Sequence, residues 1–139
     1  MGEKRPTVRR FNERNNERNI DSKRNLGNIG EDIAASYLAR QGYNLLQRNY
    51  RCGFGEIDVI CHAPDGYLVF VEVKARKNDR FGVGYEAVVR SKRAKIIRTA
   101  MNYISENGIV NEDMRFDVIS VSLCGDNSIE HIVNAFDAM

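Results

Sequence analysis

The stretch GEIDVICHAPDGYLVFVEVKAR, residues 55–76, decides how this chain folds. Its second half, Leu68–Val71, is an unbroken apolar run, the pattern of a strand buried on both faces. Its first half, Glu56–Ala63, has the β-branched and apolar content of a second strand. Between them, Pro64-Asp65-Gly66 is a turn, with proline presetting φ and glycine free to take positive φ. Two strands joined by a short turn form an antiparallel hairpin. If Ala63 pairs with Tyr67, Asp58 falls opposite Glu72 and Glu56 opposite Lys74. Alternation then puts Glu56, Asp58, Ile60 and His62 on one face, and Leu68, Phe70, Glu72 and Lys74 on one face of the partner strand.

Outward from this hairpin, the elements alternate in type. A helix is expected over about Ile29–Gln41, capped by Asn28 and ended by Gly42, with Ile33, Ala34, Tyr37 and Leu38 at helical spacing. A weakly patterned strand, Leu45–Arg51, precedes the hairpin. A second helix, about Tyr85–Asn107, carries an apolar stripe of Ile97, Ala100, Met101 and Ile104 and stops at Gly108. Strands near Arg115–Leu123 and Ile129–Ala135 complete the order αβββαββ, an α/β class with a mixed sheet and helices packed on its faces. Residues 1–27, rich in Asn, Arg and Glu, read as a basic, disordered tail, and residues 28–139 as one domain.

With 139 residues, 42% hydrophobic and 29% charged, the composition is that of a soluble globular protein. No apolar run approaches the ~18 residues of a membrane span, and the N-terminus has neither a secretory nor a myristoylation pattern. Cys52, Cys61 and Cys124 are odd in number and form no C-x-x-C pair, so they read as reduced thiols of a cytoplasmic protein. The net charge of +2 conceals a strong segregation. Residues 26–73 hold three basic and six acidic residues, while residues 74–98 hold nine basic and two acidic. A basic block directly after a carboxylate-rich one suits a polyanion handled beside a metal ion; the plain alternative is a solvated helix face.

Two carboxylates opposite each other on buried strands repel, and burying them is costly without compensation. A divalent cation compensates, and hard oxygen ligands suit Mg²⁺ or Mn²⁺. Lys74 then stands where it can orient a water or stabilise charge developing on a phosphate. A salt-bridged cluster without catalysis is the alternative, and Glu56 reads best as a partner of Lys74. Gly82 and Gly84 lack the ending of a P-loop and are turn glycines. Asp117 reads as a structural partner of Arg115 or of a helix residue. His62 and His131 have no metal-ligand spacing.

Asp58 followed by Glu72-Val73-Lys74 resembles the D…(D/E)-x-K signature of the PD-(D/E)XK nuclease superfamily. GNIGEDIAASYL, RNYRCGFGEIDVI, LVFVEVKAR, FGVGYEAV followed by Lys92, and RFDVISV are together similar to the bacterial YraN-like family within it, over Gly27 to Val121. The resemblance implies a restriction-endonuclease-like core close to that of archaeal Holliday-junction resolvases. It implies Mg²⁺ or Mn²⁺ held by Asp58 and Glu72, with Glu31 and the Val73 carbonyl as further ligands, and Lys74 as the catalytic lysine. Asn28-x-x-Glu31 is also a capping-box pattern, so a cap is the rival role for Glu31. Ile57 stands where the superfamily pattern has proline. DNA of branched or non-standard structure is the implied partner, with Arg76, Lys77, Arg90, Lys92, Arg93 and Lys95 available to phosphates. A homodimer would suit the cutting of two strands. The rival functions are a nucleic-acid-binding module with a relict site and a scaffold protein.

Overall fold

The computed structural model describes residues 22–77 and 83–138. Helix α1 spans Ser22–Arg40, followed by strands β1 (Asn44–Cys52), β2 (Gly55–His62) and β3 (Leu68–Arg76). Helix α2 (Val83–Glu106) crosses over to β4 (Met114–Ser122), and β5 (Ile129–Phe136) closes the chain. The five strands lie in the order β1-β2-β3-β4-β5. Each neighbouring pair is antiparallel except β3 and β4, which run parallel because α2 returns the chain to the same end of the sheet. This is the αβββαββ order read from the sequence.

The tail reading for residues 1–21 lies outside the described residues. Residues 22–27, expected within that tail, instead form the first turns of α1. Asn28 is therefore inside the helix, and Glu31 lies beyond its first turn. A capping-box role for this pair is excluded, because the N–H groups around it already belong to the helical ladder.

The central strand β3 explains the apolar run. Val69 and Val71 join Ile29, Ile33, Ala34 and Leu38 of α1 in one core, together with Val59, Cys61, Ile119 and Val121. Leu68 and Phe70 join Ile96, Ala100 and Tyr103 of α2 in the other, with Ile57, Ile60, Phe116, Val118 and Phe136. Phe70, Phe116 and Phe136 stack across this second face, with successive ring centroids 5.6 and 4.9 Å apart. The buried stripe of α2 is displaced from the expected one: Ile96, Thr99, Ala100 and Tyr103 are buried, Ile97 and Ile104 flank them, and Met101 is 40% exposed. Apolar residues recur on both sides of this helix, and the sheet selects between them.

The hairpin register holds from His62↔Leu68 to Val59↔Val71 and stops there. Asp58 does not pair with Glu72 through the backbone, nor Glu56 with Lys74. The ladder between β1 and β2 likewise passes from Arg48↔Val59 to Tyr50↔Ile57, omitting Asn49 and Asp58. Asn49 takes a left-handed φ of 55°, which asparagine tolerates better than most residues. Both strands change face across this point. Val59 belongs to the core beneath α1 and Ile57 to the core beneath α2, although they are two residues apart. The expected common face of Glu56, Asp58, Ile60 and His62 is broken by this local distortion.

Helix α1 approaches β3 at Gly30, where an added Cβ would lie 2.7 Å from the Ala75 Cβ. Both atoms sit directly on backbone, so neither yields without moving helix or strand. Among the described residues, no helix is long and apolar enough to cross a membrane. Gly30→Ala is expected to cost about 1–3 kcal/mol in chemical denaturation, despite its better helix propensity. Adding Ala75→Gly should recover most of that loss.

Candidate active site

Where β2 and β3 part, a cavity of ≈ 310 Å³ opens toward α2, lined by Asp58, Glu72, Val73, Lys74, Lys92 and Lys95 together with Gly55, Glu56 and Ile96. The strand separation leaves the Val73 N–H without a cross-strand carbonyl from β2. It donates instead to Asp58 Oδ2 at 2.8 Å. Asp58 thus fills the fork with its side chain. Glu72 is buried, and its Oε2 accepts from Lys92 Nζ at 3.1 Å. Lys74 shares the β3 face of Glu72 and also lines the cavity. These are the three residues of the expected catalytic set, brought together with Lys92 from the helix.

The electrostatics of the fork are unfavourable. Burial first, and the Glu72 carboxylate second, raise the Asp58 carboxyl from the usual 3.8 to about 8. Glu31 and Glu56 push in the same direction, while the Val73 N–H opposes them. Burial works against the Lys92 ammonium, but the adjacent Glu72 carboxylate outweighs it and the Lys92 pKa is raised. Glu31 contributes from α1. Its Oε1 is buried without a hydrogen-bond partner and lies 3.7 Å from Arg48 Nη2, which is engaged with Asp32 at 2.9 Å. Among the described residues, no three His, Cys, Asp or Glu side chains close into a ready metal-ligand group.

The remaining expected residues are divided between the cavity and other parts of the surface. Glu56 pairs with Arg51 at 2.8 Å, not with Lys74, because the strands have already diverged at its position. Arg76 turns its Nε to the buried Ser120 Oγ at 2.9 Å. Arg93 lies over the Phe136 ring at 5.2 Å. Lys77, Arg90, Lys92 and Lys95 are exposed, and Lys92 and Lys95 border the cavity.

A second polar cluster lies on the α1 side of the sheet. Asp117 accepts from Arg115 Nε at 3.0 Å, as its sequence position suggested, and also from the Asn134 N–H at 2.9 Å. His131 Nε2 stands 2.8 Å from it, and His131 Nδ1 stands 2.9 Å from the Tyr37 hydroxyl. Arg115 Nη2 also donates to the Tyr43 hydroxyl at 2.8 Å. Burial opposes the Asp117 charge, but the His131 and Arg115 hydrogen bonds outweigh it and hold the carboxyl below the usual range. This satisfied network ties β4 to β5 and α1. No local pattern points to His131 and Tyr37 in it, since the two are 94 residues apart. His62 instead meets Glu112 at 2.9 Å.

Fold and site together define an α/β protein built on a mixed five-stranded sheet, with an acidic pair and two lysines at an internal strand fork. The chain belongs to the uncharacterised protein family UPF0102, whose pattern matches residues 30–121, and this is the YraN-like family that its motifs resemble. A UPF0102 protein of Pelobacter propionicus is 46% identical over 117 residues, covering 82% of this chain and 84% of the relative. One from Clostridium acetobutylicum is 45% identical over 113 residues, covering 79% and 92%. Among solved structures, a repair endonuclease from Pyrococcus abyssi is similar with 23% identity and a TM-score of 0.39, over 68% of this chain and 36% of that one. Pyrococcus furiosus SfsA in complex with Ca²⁺ is similar with 14% identity and a TM-score of 0.32, over 78% and 62%.

The Asp58 shift makes stability depend on pH. A carboxyl raised from 3.8 to about 8 keeps its proton in the folded chain while the unfolded chain has lost it. That contribution is fully present below about pH 4 and is lost as pH rises through about 8. From pH 6 to 9 the parent should lose on the order of 1–3 kcal/mol relative to Asp58→Asn, read from denaturation curves at each pH.

Proposed function

We propose that this protein is a metal-dependent endonuclease of the PD-(D/E)XK type, hydrolysing phosphodiesters in branched or otherwise structured DNA. The observation that carries the reading is the Asp58–Glu72 pair, desolvated at the fork beside Lys74. Such an arrangement is costly as bare protein and suited to a cation. Asp58, Glu72 and the Val73 carbonyl would offer hard oxygens to Mg²⁺ or Mn²⁺, and Glu31, which does not line the cavity and whose Oε1 lacks a hydrogen bond, would have to turn toward the fork to join them. When bound, such an ion supplies Lewis-acid activation of the phosphate and lowers the pKa of a coordinated water.

The chain's own groups divide the remaining work. Lys74 holds the attacking water in line with the phosphorus and stabilises charge on the phosphate oxygens. Lys92, released from Glu72, is free to meet a phosphate. Lys95, Lys77 and Arg90 hold the strand by charge, with affinity falling as salt rises.

A binding module with a relict site is the second reading, and two observations favour it. Lys92 already neutralises Glu72, and Asp58 can keep its proton at neutral pH, so the fork is tolerable without a metal.

A cleavage assay on single-stranded, duplex, flapped and four-way-junction DNA, with Mg²⁺, Mn²⁺ or EDTA, separates the readings. Metal-dependent cutting is expected, reduced roughly 10²–10⁴-fold in Lys74→Ala and at least as far in Asp58→Asn and Glu72→Gln. Equal cutting by Asp58→Asn, Lys74→Ala and the parent would overturn the nuclease assignment. Salt-sensitive binding without cutting would leave the relict module.

A further inference from the structure

We propose that Phe54 is a stacking platform for an unpaired nucleobase, placed at the rim of the cavity so that single-stranded or unpaired nucleotides are the substrate class of this site. The inference rests on the nuclease-like reading only for which phosphate enters the cavity. The base-binding claim stands on the geometry of the β1–β2 turn.

Phe54 is 49% exposed, whereas Phe70, Phe116 and Phe136 are all buried. An exposed phenyl ring gains nothing from water, and single exposed apolar residues are common. Its setting is what distinguishes this one. Phe54 stands at the tip of the turn between Gly53 and Gly55, and Gly55 itself borders the cavity. A Cβ added at Gly53 would meet nothing within 4 Å, so the outer side of the tip is open. At Gly55 it would come within 3.2 Å of the Thr99 Oγ1, so the inner side is seated closely on α2. The ring is thereby carried on an anchored turn, one residue from the cavity wall.

Positive charge stands beside it. The Arg98 guanidinium lies 6.0 Å from the ring centroid, at the outer range of a cation–π contact. Lys95 borders the adjoining cavity. An aromatic face beside cationic side chains is the combination that holds single strands: the charges follow the backbone and the ring stacks a base of any identity. Bases inside a duplex are already stacked on their neighbours, so a protruding ring stacks on an unpaired or extruded base without the cost of unstacking a paired step. Among the described residues, the other exposed aromatic, Tyr67, is at the opposite end of β3 from Lys74, beside Arg115.

The test uses the full chain in EDTA, so that binding is read without cleavage. The probes are a single-stranded oligonucleotide and a hairpin whose stem is fully paired and whose loop is a non-nucleotide glycol linker, with the same number of phosphates. The protein contains no tryptophan, so Phe54→Trp introduces one fluorescent reporter at the tip. The single strand should quench that indole and the hairpin should not. Phe54→Ala should weaken single-strand binding about tenfold or more, with hairpin binding changed less than about twofold and the salt slope unaltered. Phe54→Leu, which keeps the bulk and removes the π face, should behave like Phe54→Ala. Unchanged single-strand affinity in Phe54→Ala, or equal loss for strand and hairpin, would overturn the proposal, as would absent quenching. Quenching and Phe54-dependent binding by a protein that cuts nothing in any metal would sustain the stacking site and remove the nuclease reading. Metal-dependent cutting of single strands that Phe54→Ala leaves intact would do the reverse.

Discussion

The hydrogen bond from the Val73 N–H to Asp58 Oδ2, 2.8 Å long, is the contact on which the candidate site depends. A backbone donor in the middle of a sheet must find an acceptor. Where β2 leaves the ladder, the acceptor is a side chain rather than a neighbouring strand. That exchange holds the strands apart and opens the cavity. It also fixes a carboxylate where solvent screens it poorly from Glu72. One N–H is too little to compensate both burial and a like charge, so the site retains an electrostatic deficit that a proton, a lysine or a cation can reduce.

Asp117 shows what compensation looks like in the same sheet. It is fully buried, but Arg115, His131 and the Asn134 N–H surround it, and its carboxyl is held below the usual range. Asp58 has a single backbone donor and carboxylate neighbours, and its carboxyl is raised. Asp117 is the more completely enclosed of the two, so the partners rather than exposure decide the direction of each shift. The first arrangement stabilises a fold; the second is the kind of perturbed group that accompanies function.

The scaffold keeps the fork in place from both sides. Burial of β3 against both helices leaves that strand little freedom to shift toward β2. The close passage of α1 over β3 at Gly30 and Ala75 brings Glu31 near the fork, one residue beyond the contact. On the opposite side, the Ile96–Tyr103 stripe seats α2 so that Lys92 reaches Glu72. A carboxylate and a lysine distant in sequence thus reach the fork on separate packed helices.

The element order was legible in the sequence because each signal was local: Leu68–Val71 as a doubly buried strand, Pro64-Asp65-Gly66 as its turn, and apolar spacing in both helices. The His62–Val59 register followed from that turn, since a hairpin's pairing is set where the chain reverses. Asp58, Glu72 and Lys74 were readable as a set because they lie within one hairpin. What the sequence did not reveal arises from contacts between distant segments. The strands diverge at Asp58 because of the left-handed Asn49 and the Val73 hydrogen bond, so Glu56 finds Arg51 instead of Lys74. Which side of α2 is buried was decided by the sheet beneath it, and the start of α1 lay in a segment whose composition looked like a tail. Local pattern determined which elements form and which residues could carry chemistry. Tertiary packing decided which carboxylate is left undercompensated, because burial and the supply of hydrogen-bond donors exist only once the elements meet.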